Sequence, residues 1–90
     1  GKALLSPFHN RVILATMMTC GLYDEVGHFA IRVGLPAKSG VGGGILAVVP
    51  GEMAIVAFSP RLSEAGNSVR AQNAIKYIAD ELNLSIFDGR

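Results

Sequence analysis

Residues 34–58 read GLPAKSGVGGGILAVVPGEMAIVAF, and this stretch decides the fold class. It holds two apolar runs, at residues 45–49 and 53–58, on either side of Pro50-Gly51-Glu52. Proline followed by glycine favours a tight turn, because proline fixes φ and glycine tolerates a positive φ. The stretch therefore predicts an antiparallel hairpin. Neither strand alternates apolar with polar residues, which predicts that both faces of the sheet are covered.

The segment before this stretch predicts two helices. Ser6 followed by Pro7 favours a helix start, because serine caps free N–H groups and proline suits the first helical position. Gly21 predicts the end of that helix, in the left-handed conformation. Residues 12–18 are apolar on nearly every side of the helix, which predicts burial all round, and Cys20 is expected to be a buried small hydrophobe. Residues 23–36 fit either a strand or a short helix, and we favour the helix.

The C-terminal segment predicts an amphipathic helix over residues 68–82, with Asn67 as its cap. Its apolar residues keep helical spacing on one stripe: Ala71, Ala74, Ile75, Ile78, Ala79 and Leu82. An antiparallel sheet with helices on both faces makes an α+β fold, a three-layer sandwich. Ninety residues supply too few elements to cover both the sheet and the first helix, so we expect the chain to pack against more protein.

Composition excludes several classes of partner. Half of the residues are hydrophobic, 17% are charged and the net charge is +1, which indicates a packed core and gives no support for nucleic-acid binding. No apolar run is long enough to span a membrane. The single cysteine excludes an internal disulfide and favours a reducing compartment. No set of His, Cys and carboxylate residues has metal-ligand spacing, so we expect no metal.

The triplet Lys38-Ser39-Gly40 is the first candidate for chemistry. A Walker loop needs glycine directly before its lysine and a helix afterwards, whereas Ala37 precedes Lys38 and a strand follows. A dinucleotide-binding loop also needs a helix after its glycines. In enzymes of the penicillin-recognising fold, a Lys-Ser/Thr-Gly element lies on a strand along one wall of the active site, and the triplet has that form. A solvated turn before a core strand is the alternative.

Element order and longer motifs extend this likeness. CG-x-YD (residues 20–24), VGLPAKSGVGGGI (33–45), VVPG (48–51) and GNS (66–68) resemble the C-terminal part of the serine-dependent glutaminases, which share the β-lactamase-like fold. The resemblance implies a cytoplasmic homodimer or homotetramer that needs no cofactor. It also implies hydrolysis of L-glutamine to L-glutamate and ammonia through a serine acyl-enzyme.

The resemblance further implies roles for five residues. Tyr23 matches the tyrosine whose hydroxyl reaches the nucleophile and the substrate, where it relays a proton. Val41 matches the position whose main-chain N–H binds the substrate carbonyl in the oxyanion hole. Lys38, Ser39 and Gly40 line the supporting wall of the pocket.

The chain lacks the family's nucleophile, which belongs to a Ser-x-x-Lys motif. None of its serines has a lysine three residues later, and acyl transfer needs a nucleophile. We therefore expect residues 1–90 to be the C-terminal part of a single glutaminase catalytic domain, inactive alone, with the rest of that polypeptide as its partner. Another serine acyl hydrolase of the penicillin-recognising fold and a non-catalytic interaction module are the alternatives.

Overall fold

The computed structural model describes residues 4–89 of the 90-residue chain. Helix α1 spans Pro7–Cys20. Ser6 caps it, since the Ser6 Oγ accepts a 3.1 Å hydrogen bond from the His9 N–H, and Pro7 lies in its first turn; both predictions are confirmed. None of the residues of α1 is buried, so the predicted all-round burial is wrong within this chain. The predicted burial of Cys20 is wrong too, because this residue is exposed.

Gly21 ends α1 as predicted, but not for the predicted reason. Its φ is −76°, in the right-handed region that any residue adopts. A Cβ at this position would overlap the carbonyl oxygen of Ala37 on the first strand. The Ser39 N–H also donates to the Gly21 carbonyl at 3.0 Å. Glycine is therefore required here by the close approach of two backbones.

A 3-10 turn, Tyr23–Glu25, leads directly into helix α2, Val26–Arg32. The prediction of a short helix in this segment is confirmed. Phe29 and Val33 are buried, whereas Ile31 between them is exposed. A strand would have placed all three side chains on one face, but a helix places the middle one on the opposite side.

Three antiparallel strands form one sheet in the order β1-β2-β3. Their bounds are Ala37–Ser39 for β1, Gly44–Val49 for β2 and Met53–Phe58 for β3. The predicted hairpin is confirmed, with Gly51 at a φ of 77° and a 3.0 Å hydrogen bond from the Glu52 N–H to the Val49 carbonyl.

Helix α3 spans Val69–Leu82, close to the predicted range. Its cap is Ser68, whose Oγ accepts a 3.1 Å hydrogen bond from the Ala71 N–H, so the prediction of Asn67 as the cap is wrong. The Asn67 side chain is fully buried and bonded elsewhere. The buried stripe of α3 consists of Ala71, Gln72, Ile75 and Ala79, and two predicted members, Ala74 and Leu82, are exposed.

The core lies on one face of the sheet, and the α+β class is confirmed. Side chains from this face join one cluster with those of α2, α3 and the connecting segments; its largest fully buried apolar members are Leu22, Leu35, Ile45, Ile75 and Val49. The opposite face carries exposed residues, among them Lys38, Leu46, Val56 and Phe58. The helices in residues 4–89 therefore bury one face of the sheet and leave the other open. No helix within the same residues is both long and apolar enough to cross a membrane.

Candidate active site

Tyr23 stands at the start of the 3-10 turn in an unusual backbone conformation. Its φ is 52°, in the left-handed region that costs a residue with a Cβ about 1–2 kcal/mol. The side chain is 50% exposed. The Lys38 Nζ lies 5.3 Å from the centroid of the phenol ring, a distance at which a cation and an aromatic face attract each other. The fold therefore brings together two candidate residues that are fifteen positions apart in the sequence.

Lys38 and Ser39 are neighbours on β1, but their side chains lie on opposite faces of the sheet. Lys38 is exposed and Ser39 is buried. The Lys38 Nζ donates to the Ser39 carbonyl, while the Ser39 Oγ donates to the Gly21 carbonyl at 3.3 Å. Lys38 thus lies beside Tyr23, whereas the Ser39 hydroxyl joins β1 to the end of α1.

Gly40 and Val41 lie in the loop between β1 and β2. The Gly40 N–H donates to the Gly44 carbonyl at 2.9 Å, and the Gly43 N–H donates to the Gly40 carbonyl at 3.0 Å, which closes the loop. Within residues 4–89 the Val41 N–H forms no hydrogen bond, and its side chain is 72% exposed. Because this amide has no partner in the strand ladder, it is available to bind a ligand oxygen. A ligand that excludes water from the loop would also supply the partner that a buried N–H requires.

A group of buried and half-buried polar side chains lies directly behind the Tyr23 turn. We call it the anchor cluster, and its members are Glu25, Ser63, Asn67 and Gln72. The Glu25 Oε1 accepts hydrogen bonds from the Ser63 Oγ at 2.7 Å, from the Asn67 Nδ2 at 2.8 Å and from the Gln72 Nε2 at 3.4 Å. The Asn67 Nδ2 also donates to the Leu22 carbonyl at 2.7 Å. The cluster therefore joins the loop before α3 to the turn that carries Tyr23.

The hydrogen bonds of the anchor cluster keep Glu25 ionised. Burial by itself would raise the pKa of this carboxyl group. The hydrogen bonds donated by Ser63, Asn67 and Gln72 favour the charged form more strongly, and His28 adds a coulombic contribution, so the pKa lies below its ordinary value of 4.5. A carboxylate that accepts several hydrogen bonds is a firm attachment point, because each bond to a charged acceptor is stronger than one between neutral groups.

A metal centre and a groove beside α1 would be the competing sites within residues 4–89. Within residues 4–89, no three His, Cys, Asp or Glu side chains come close enough to bind one metal ion. A groove of about 400 Å³ runs along α1 and is closed by Pro36, Pro50 and Ile86. Among residues 4–89, the one titratable residue that lines the groove is Arg11, and no candidate site residue lines it. The groove is therefore a concave surface whose described lining residues offer no catalytic group.

The Tyr23 site can perform part of an acyl-transfer reaction. A phenol can move a proton, an ammonium beside it supplies positive potential, and a free amide in the adjacent loop can stabilise an oxyanion. The anchor cluster can hold the phenol in place. The sequence has no Ser-x-x-Lys segment that could supply the family's nucleophile.

Comparison with known proteins identifies the family. The family model for glutaminase matches residues 1–87. The chain belongs to the glutaminase family. A glutaminase of Colwellia psychrerythraea is 58% identical over 86 residues, and one of Bordetella avium is 56% identical over 88 residues. These alignments cover 96% and 98% of the chain but only 28% of each relative.

Solved structures of this family match the chain closely. A probable glutaminase, YbaS, superposes with a TM-score of 0.93 at 56% identity, covering 98% of this chain and 28% of that one. The Bacillus subtilis glutaminase YbgJ, in a covalent complex with 5-oxo-L-norleucine, superposes with a TM-score of 0.90 at 38% identity over 96% of this chain and 32% of that one. These neighbours show that the sheet and helices described here are part of the β-lactamase-like fold of the family.

The anchor cluster was not predicted from the sequence, although two signals point to it. GNS resembles a motif of the family, but its asparagine also suits a helix cap, which is the role that the local sequence predicts. Gln72 lies three positions before Ile75 and seven before Ala79, on the stripe that α3 buries. A polar residue on such a stripe signals a buried hydrogen-bond partner, because a buried amide without one costs free energy.

Proposed function

We propose that residues 1–90 form the C-terminal part of one glutaminase catalytic domain, which hydrolyses L-glutamine to L-glutamate and ammonia. The observation that carries the proposal is the strained Tyr23 beside Lys38, within a chain that belongs to the glutaminase family. The covalent complex of YbgJ with 5-oxo-L-norleucine formed by reaction with 6-diazo-5-oxo-L-norleucine. A covalent adduct with a glutamine-like molecule supports a covalent intermediate for the relatives of this chain.

In the proposed mechanism the nucleophile is a serine outside residues 1–90, in a Ser-x-x-Lys segment of the longer polypeptide. Its oxygen bonds to the side-chain amide carbon of glutamine, and the carbon–nitrogen bond breaks. The leaving nitrogen departs as ammonia with the proton that the serine lost, relayed by the Tyr23 hydroxyl. One water molecule then hydrolyses the ester, which releases glutamate and restores the serine.

The remaining candidate residues stabilise charge in this mechanism. The Val41 N–H donates to the carbonyl oxygen as it becomes an oxyanion. Lys38 contributes positive potential beside the phenol, while Ser39 and Gly40 fix the strand end and loop that present the amide. We further propose that the whole enzyme is a cytoplasmic homodimer or homotetramer that needs no cofactor, and that the 90-residue chain is inactive alone.

The test is ammonia release from L-glutamine by the full-length protein and by its Tyr23→Phe variant. Removing the phenol hydroxyl should lower kcat by about 10²-fold or more, the usual scale for a group that transfers a proton. Tyr77→Phe is the matched control, since Tyr77 is the chain's other tyrosine and is exposed on α3. This variant should keep wild-type turnover.

Two results would contradict the proposal. If the full-length protein released no ammonia from glutamine, the proposed glutaminase activity would be wrong. Near-normal turnover by Tyr23→Phe would be consistent with the activity but would contradict the proposed role of Tyr23 in the mechanism.

A further inference from the structure

Asn67 is the member of the anchor cluster that contacts both sides of Tyr23. Its Nδ2 donates to the carbonyl of Leu22, the residue before Tyr23, at 2.7 Å. The same nitrogen donates to the carboxylate of Glu25, two residues after Tyr23, at 2.8 Å. Asn67 comes from the loop before α3, more than forty positions away in the sequence. One side chain that is distant in the sequence therefore forms hydrogen bonds to both ends of the turn.

The chemistry of this contact suits an amide. Both partners of the Nδ2 are acceptors, a carbonyl and a carboxylate, and the amide nitrogen of asparagine supplies two N–H donors on one atom without bringing a charge into the core. The side chain is fully buried, and its Oδ1 has no hydrogen-bond partner within the described residues. Burying the Oδ1 in this way costs free energy. The two strong bonds of the Nδ2 are the gain that offsets it.

The residue between the two contacts is held in a strained conformation. Tyr23 has a φ of 52°, and a tyrosine keeps such a backbone only when its surroundings over-determine it. Leu22 is buried, and its carbonyl also accepts from the Glu25 N–H at 3.1 Å. Gly66, which precedes Asn67, lies against the phenol ring, since a Cβ at Gly66 would be 3.9 Å from the Tyr23 Cε2. The same loop thus holds both the main chain and the ring.

We propose that Asn67 is a positioning residue for Tyr23: by holding the Leu22 carbonyl and the Glu25 carboxylate, it keeps the strained turn and the phenol ring between Lys38 and Gly66. The proposal rests on the proposed function to the extent that Tyr23 acts in glutamine hydrolysis. Asn67 itself is fully buried, so we assign it a positioning role and not contact with the substrate.

The full-length Asn67→Ala variant tests this role. Loss of both hydrogen bonds should let the turn relax and move the phenol, and a displacement of about 1 Å at a reacting group can cost about 10²-fold in rate. We expect kcat to fall on that scale, with a smaller change in KM. Asn73→Ala is the matched control, because Asn73 is an exposed asparagine on α3 whose Oδ1 accepts a hydrogen bond from Arg32. It should retain wild-type kcat.

A double-mutant cycle with Tyr23→Phe separates positioning from general loss of structure. If Asn67 acts through the Tyr23 hydroxyl, Asn67→Ala should cost little further kcat once that hydroxyl is gone. If Asn67 only stabilises the fold, it should cost the same factor in both backgrounds, and that result would overturn the proposal. Should Asn67→Ala fail to fold, Asn67→Ser, whose hydroxyl has one donor and can serve only one of the two acceptors, enters the same cycle with a smaller expected loss.

A crystal structure of the Asn67→Ala protein, or of Asn67→Ser in its place, gives a readout that needs no activity. A return of Tyr23 to negative φ, with its ring away from Lys38, supports the positioning role. A Tyr23 that keeps its φ and its contact with Lys38 overturns it, whether or not the enzyme hydrolyses glutamine. Failure of the full-length wild type to release ammonia would instead overturn the proposed function alone.

Discussion

Val41 is a residue at which the main chain carries the proposed chemistry and the side chain does not. The side chain is largely exposed, and the N–H forms no hydrogen bond within residues 4–89. The bonds between Gly40, Gly43 and Gly44 close the loop around it without using this amide. The loop therefore presents a donor at no cost to the sheet.

Val41→Pro and Val41→Ala should consequently differ in the full-length enzyme. Proline removes the N–H, and loss of one oxyanion donor typically lowers kcat by about 10²–10³-fold. Alanine keeps the N–H and should leave kcat near the wild-type value. Steady-state ammonia release measures both, and thermal unfolding verifies that each variant is folded. Equal activity of the two variants, at any level, would remove the Val41 amide from the oxyanion hole.

The sequence proposes residues for the site but does not give their arrangement. Tyr23, Lys38 and Val41 follow from short motifs that resemble the family, and the structure adds that Tyr23 and Lys38 meet. Asn67 could not be assigned correctly, because Asn67 and Ser68 both suit a helix start. Which one caps α3 depends on the distant Leu22 carbonyl, which draws Asn67 into the core. Local patterns carry no information about that contact.

At the scale of elements, the contact between α1 and β1 positions the Tyr23 turn. Gly21 lies at the crossing, where the Ser39 N–H and Oγ both donate to its carbonyl. A Cβ at Gly21 would overlap the Ala37 carbonyl oxygen. Because the obstacle is backbone, the two elements have to separate to accept any side chain.

Gly21→Ala should therefore destabilise the full-length protein, by about 1–3 kcal/mol if the strain resembles that of an overpacked core. It should also lower turnover, since the turn begins two residues later. Urea-induced unfolding gives the free energy of unfolding, and ammonia release gives the turnover.

Gly27→Ala is the matched control for this prediction. Gly27 lies in α2 and has no atom within 4 Å of an added Cβ. Alanine in a helix should be neutral or stabilising there, by up to about 1 kcal/mol relative to glycine. If Gly21→Ala were as stable as Gly27→Ala, the close approach of α1 and β1 would not hold in the full-length protein.

Element types were predictable where periodicity and turn chemistry agree. The capped start of α1, the Pro-Gly hairpin and the stripe of α3 all follow from local rules. The small number of elements in 90 residues predicts that the chain leaves some apolar surface uncovered. Which surface that is did not follow from local patterns, and the structure shows that it is α1 and one face of the sheet. The prediction that Gly21 adopts the left-handed conformation was wrong. A glycine needed for close approach of two backbones looks the same in the sequence as a glycine that ends a helix.

At the scale of the whole molecule, the open face of the sheet requires explanation. Leu46, Val56 and Phe58 lie on the face away from the core, and the last two are 72% and 70% exposed. Lys38, on the same face, contacts Tyr23, so this face and the candidate site adjoin each other. The chain spans only 28% of the length of its curated relatives. We infer that the remaining part of such an enzyme covers this face and completes the site.

Residues 1–90 expressed alone should therefore fail to behave as a well-folded monomer. Exposed apolar side chains on one face, together with an α1 that buries none of its residues, favour association. Gel filtration should show oligomers or aggregates, and circular dichroism should show a broad thermal transition. Replacing Val56 and Phe58 by threonine keeps strand propensity and should raise the monomer fraction, whereas Ile31→Thr, at an even more exposed position on α2, should not. A sharp, monomeric melt of the unmodified chain would instead favour a self-sufficient module.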